Sequence, residues 1–80
     1  MNLSLNYDHL INQATSFHQN GDFEKAEFYY LKILNQWPNS TAALTNLATL
    51  ALQMGRINHG LELIEKSLKI NQNHLHINMP

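Results

Sequence analysis

The 80 residues contain no cysteine, so neither a disulfide framework nor a thiolate metal site can hold this chain together. Charge is scarce and balanced: five Lys and Arg stand against six Asp and Glu, for a formal net charge of −1. That balance excludes the basic footprint of a nucleic-acid binder or of an anchor on an anionic membrane surface. Long apolar runs are missing as well. The richest window, residues 42–54, is interrupted by Thr45, Asn46 and Thr49, whereas a bilayer span takes about twenty apolar residues. The first six residues show no basic stretch leading into an apolar run, so no secretory leader is read and a cytoplasmic protein is the expectation. At this length one domain spanning residues 1–80 is expected, burying only about 60% of its unfolded surface. There is too little chain to wall a large active site.

What is present is a globular share of hydrophobic residues, 44%, and an internal repeat. Setting residues 7–40 against the residues 34 positions later gives nine identities: Leu10/Leu44, Asn12/Asn46, Ala14/Ala48, Thr15/Thr49, Gln19/Gln53, Gly21/Gly55, Lys32/Lys66, Leu34/Leu68 and Asn39/Asn73. Ordinary composition would give roughly two or three by chance. Pairs such as Phe23/Ile57 and Tyr30/Ile64 keep their character without identity.

Each unit reads as two helices. Tyr7, Leu10, Ala14 and Phe17 recur at three- and four-residue spacing and form one apolar stripe. Asn20-Gly21 ends that helix, and Asp22 stands where the next one needs a cap, with Glu24 in its first turn. The second helix carries Phe23, Ala26, Tyr30, Ile33 and Leu34 until Trp37-Pro38 stops it. Asn39 and Ser40 offer caps for a third helix with the stripe Leu44, Leu47, Ala48 and Ala51, broken at Met54-Gly55. A fourth follows with Ile57, Leu61, Ile64 and Leu68 as its stripe; Arg56 precedes it and cannot accept a capping bond. Four helices of about thirteen residues, with repeats over 7–40 and 41–74 and a short tail over 75–80, are expected.

A 34-residue helix–turn–helix period with these residues resembles the tetratricopeptide repeat (TPR) family. The first copy supplies Leu10, Ala14, Phe17, Ala26, Tyr30 and Pro38 at the family's spacings, and the second Leu44, Leu47, Ala48, Gly55, Gly60 and Ile64. It departs from the pattern at Gln13 for a leucine, Ala51 for an aromatic and Gln72 for the terminal proline. The resemblance implies an all-α fold: two antiparallel helix–turn–helix units stacked as a short right-handed solenoid. It also implies a scaffold for a protein or peptide partner rather than an enzyme, with the first helix of each repeat lining a concave groove. The alternative is the amino-terminal recognition portion of a larger TPR-bearing enzyme such as a glycosyltransferase.

On the face opposite the packing stripe, the trio Asn12, Thr15 and Gln19 recurs as Asn46, Thr49 and Gln53. Packing does not require identical uncharged polar residues there. Side-chain amides carry both donors and acceptors, matching an extended peptide backbone, and some TPR families line their groove with asparagines at the places of Asn12 and Asn46. These six residues are the candidate peptide-binding site. The family's carboxylate clamp for acidic tails is not expected, because Ile11 and Thr15 occupy two of the positions it needs and a third repeat is missing.

Catalytic constellations and cofactor motifs are not found. Asp8 and His9 are adjacent and point about 100° apart on a helix, and no glycine-rich phosphate loop occurs. His74 and His76 could approach one metal ion only weakly, with no third ligand at a fitting spacing. Terminal units of a repeat array normally carry a polar outer face, yet the fourth helix presents Leu61, Ile64 and Leu68 with little chain left to cover them. Self-association into a homo-oligomer through those three residues is the expectation.

Overall fold

The computed structural model describes residues 3–78, with side chains described for residues 6–71. Four helices follow one another: α1 (Leu3–Gln19), α2 (Phe23–Gln36), α3 (Thr41–Gln53) and α4 (Ile57–Asn78). Each repeat is an antiparallel pair, α1 with α2 and α3 with α4, and the pairs meet through α2 and α3. Among the described residues there is no strand.

The breaks between helices come from local chemistry. Gly21 (φ +82°) and Gly55 (φ +81°) end α1 and α3 in the left-handed conformation. Around them the N–H of Asp22 donates to the Phe17 carbonyl at 2.9 Å and that of Gly21 to His18 at 3.1 Å. Arg56 and Gly55 donate in the same way to Ala51 at 2.8 Å and Leu52 at 3.1 Å. Both ends are therefore Schellman motifs. A side chain at either glycine would meet no neighbour, so the whole cost of Gly55→Ala is backbone strain, about 1–2 kcal/mol. Its melting temperature is expected to fall by roughly 4–8 °C for each kcal/mol lost, read by thermal circular dichroism.

The helix starts follow the caps. Asp22 Oδ1 accepts from the Lys25 N–H at 3.5 Å, and Ser40 Oγ accepts from the Ala43 N–H at 3.2 Å. Arg56 does not cap α4; its guanidinium donates instead to Glu27 Oε2 on α2 at 2.6 Å, tying the α3–α4 turn to the first repeat. Trp37 folds over the repeat junction, edge-on to Tyr7 with ring centroids 5.1 Å apart, while Tyr7 Oη and Ser40 Oγ are bonded at 2.7 Å.

The core lies where the two pairs share faces. Leu10, Ala14, Ala26, Tyr30, Ile33, Ala43, Leu47 and Leu50 form one buried cluster. Leu44, Ala48 and Ala51, also buried, lie on the adjoining stripe of α3. Ala14 and Ala26 in the first pair, and Ala48 and Gly60 in the second, are the small residues that let paired helices approach closely.

Two expectations for the last helix are corrected. It runs through residue 78 rather than ending after about thirteen residues, so residues 75–78 extend the helix instead of forming a separate tail. Pro38 stops α2, but the equivalent position holds Gln72, whose N–H can continue the helical ladder. Its packing face is also not Ile57, Leu61, Ile64 and Leu68. Gly60 and Ser67 are the buried positions of α4, flanked by half-buried Leu63, Ile64 and Ile70, whereas Ile57, Leu61 and Leu68 are each more than half exposed. The His74/His76 pair lies outside the described side chains. Among the described residues no group of three potential ligands could hold a metal ion, and no helix is long and apolar enough to cross a membrane.

Candidate functional site

Helices α1 and α3 turn equivalent faces toward the same side of the molecule. Asp8, Ile11, Asn12, Thr15, His18 and Gln19 make up the first face, and Ala42, Thr45, Asn46, Thr49, Leu52 and Gln53 the second. Neither face carries a Lys or Arg, so the groove offers amides and hydroxyls rather than cations.

A recess of about 380 Å³ opens between the two helices, lined by Thr15, His18, Gln19, Tyr30, Asn46 and Gln53. Four of the six residues singled out from the sequence are thus gathered around one opening: Thr15, Gln19, Asn46 and Gln53. Asn12 and Thr49 lie outside it, exposed on the same two helices. Asn46 is half-buried, at the edge of the hollow.

Two residues outside the six binding candidates organise the recess. Tyr30 reaches it from α2 with its ring wholly buried. His18 stands between the other two helices, Nδ1 3.0 Å from Tyr30 Oη and Nε2 2.6 Å from Gln53 Oε1. Burial raises the Tyr30 phenol above its ordinary pKa, since the charged form would lose its water. Gln53 Oε1 can only accept, so Nε2 carries the hydrogen of that bond, while Nδ1 and the Tyr30 hydroxyl share the other. Edge-on contacts with Phe23 and Tyr30, both at 5.8 Å between centroids, fix the plane of the ring. One side chain thereby joins α1, α2 and α3.

That network sets what the groove can present. Gln53 spends its oxygen on His18 and keeps its NH₂ group for a ligand. The hydroxyls of Thr15 and Thr49 are spent on their own helices, donating to Ile11 at 2.9 Å and to Thr45 at 3.0 Å. Their role in recognition is restricted to accepting. Asn12, Gln19 and Asn46 supply the amides with both functions. No sequence signal linked His18 to its partners, because they lie 12 and 35 residues away and its counterpart in the second repeat is Leu52.

A larger hollow of about 680 Å³ lies at the repeat junction, bounded by Tyr7, Asp8 and the Gln36–Ser40 connection. It holds none of the repeated polar residues. The concave recess is the candidate site because sequence duplication and geometry coincide there.

Comparison with known proteins agrees with the internal repeat. A family profile described as tetratricopeptide repeat matches residues 17–79. No curated protein matches the chain significantly.

Proposed function

The chain belongs to the tetratricopeptide repeat family, and on that premise we propose that it is a cytoplasmic interaction scaffold whose groove between α1 and α3 grips an extended segment of a protein partner. Repeats of this family generally mediate protein–protein interaction, and the fold is that of a non-catalytic scaffold. The observation that carries the finer reading is the gathering of Thr15, Gln19, Asn46 and Gln53 around one recess. Asn12 and Asn46 stand one repeat apart and offer paired donors and acceptors to a peptide backbone, while Gln53 adds a donor held in place by His18. Thr15 and Thr49 complete the surface as acceptors. Uncharged amides read main chain rather than charge, so the partner segment is expected to bind with little dependence on salt.

The test is a pull-down with the intact chain and with the Asn12→Ala/Asn46→Ala variant. Both residues lie outside the packed core, so the variant should give the same melting curve while retaining about tenfold less partner, or 1.4 kcal/mol. Equal retention by the two proteins would refute the amide grip.

The proposal also includes pairing of the chain with itself through α4. It is supported by the exposure of Leu61 (55%) and Leu68 (53%), with Ile64 half-buried between them.

A further inference from the structure

We infer that the exposed face of α4 is the seat for a second α4, related by a two-fold axis, so that the chain closes into a dimer instead of stacking head to tail. The inference rests on the self-association proposed above and assigns its geometry.

The first repeat shows how such a face is covered. Phe23, Glu27, Tyr30 and Leu34 on α2 stand 34 residues before Ile57, Leu61, Ile64 and Leu68 on α4. On α2 all four are buried or half-buried, and α3 lies against that helix. On α4 the equivalents Ile57, Leu61 and Leu68 are 52%, 55% and 53% exposed. The same register positions differ because, among the described residues, no helix lies on that face of α4 as α3 lies on α2. Three are as apolar as on α2, and at the fourth Leu61 replaces the charged Glu27, which makes the uncovered face more hydrophobic than the covered one.

The covering helix needs a matching stripe. Residues 43, 47 and 50 of α3, with Met54 at its C-cap, form the stripe beside the one packed on α4: Ala43, Leu47 and Leu50 belong to the shared core, with Met54 partly buried against it. If a second molecule docked head to tail, its α1 would have to provide the equivalent stripe. At those positions α1 and the turn after it carry His9, Gln13, Ser16 and Asn20, and none of them is buried. Placing four polar side chains against Leu61 and Leu68 would strip their water without partners. The amino-terminal face is built to stay wet.

A second α4 does provide the stripe. Ile57, Leu61, Ile64 and Leu68 are separated by four, three and four residues, the same intervals as Ala43, Leu47, Leu50 and Met54. That is the heptad spacing at which two helices interlock side chains along a seam. A face paired with its own copy is isologous, so the assembly ends at two, whereas a head-to-tail contact would propagate.

Light scattering on the full chain over a concentration series tests this. The mass is expected to rise from the 9.2 kDa of the chain to a plateau at twice that value. The Leu61→Glu/Leu68→Glu variant should stay at the single-chain mass with an unchanged helical spectrum, since both side chains point to solvent. A mass that keeps climbing without a plateau would overturn the closed geometry. A single-chain mass at every concentration would overturn the second copy as occupant and leave the seat to a helix of another protein or of a following repeat. The Asn12→Ala/Asn46→Ala variant should reach the same plateau, so failure of the groove and failure of the dimer are read separately.

Discussion

Replacing Tyr30 by alanine is expected to remove about 3–5 kcal/mol of stability, the cost of truncating a buried aromatic. Tyr30 is wholly buried and stands first among the large core side chains. An 80-residue chain at the usual 0.05–0.15 kcal/mol per residue holds only about 4–12 kcal/mol in total. The variant should therefore melt about 20 °C lower or lose its cooperative transition altogether. Tyr30→Phe separates packing from polarity. It keeps the ring and removes only the hydroxyl bonded to His18 Nδ1, so about 0.5–1.5 kcal/mol should be lost. If Tyr30→Phe proved as damaging as Tyr30→Ala in a urea titration, the hydroxyl network rather than the ring would be the main support of the fold.

The second large effect is expected at a close approach of α3 and α4, beside Gly60. Ala48 is wholly buried, and a Cβ placed on Gly60 would come within 3.2 Å of the Ala48 carbonyl and 2.8 Å of a Leu52 methyl. Ala48→Leu would drive three further carbons into that contact. Overpacking of this kind costs about 1–3 kcal/mol through displaced backbones and unfavourable rotamers. Because α4 is held chiefly against α3, the damage should be local. Amide exchange is expected to speed up along α4 first, with Tyr30 and the α1–α2 pair less affected. Uniform loss of protection across all four helices would show that the repeats do not melt as separable units.

Both variants bear on the groove differently. Tyr30→Ala removes the support beneath His18 and should disorder the recess along with the core. Ala48→Leu perturbs α3 from its opposite side, so Asn46 and Gln53 should keep their places if α3 stays packed on α2. Partner retention measured on the two variants near equal stability would separate a groove effect from a folding effect.

Much of the fold was legible because its signals are local. Gly21, Gly55 and Pro38 break helices through their own backbone chemistry, and Asp22 and Ser40 cap through bonds that span three residues. The repeat added the long-range information that the two hairpins pack by one plan. The absence of a stop at Gln72 was visible too, but the expectation of about thirteen residues per helix set the end of α4 too early. Its packing face was misread because burial there falls on Gly60 and Ser67, which carry no hydrophobic signal, while the more apolar stripe stays outside.

By itself the sequence determined the four helices, the 34-residue period and the repeated amides, since each follows from spacing along a helix or from a residue's own conformational preference; the scaffold class is what the family resemblance of those residues implies. Only the tertiary structure decided which of α4's two stripes is buried and which side chains meet at His18. Those outcomes depend on where α3 lies relative to α2 and α4. Helical periodicity places a residue on a face but does not say which face a neighbouring helix will occupy, and a contact between residues 35 positions apart exists only once the pairs have docked.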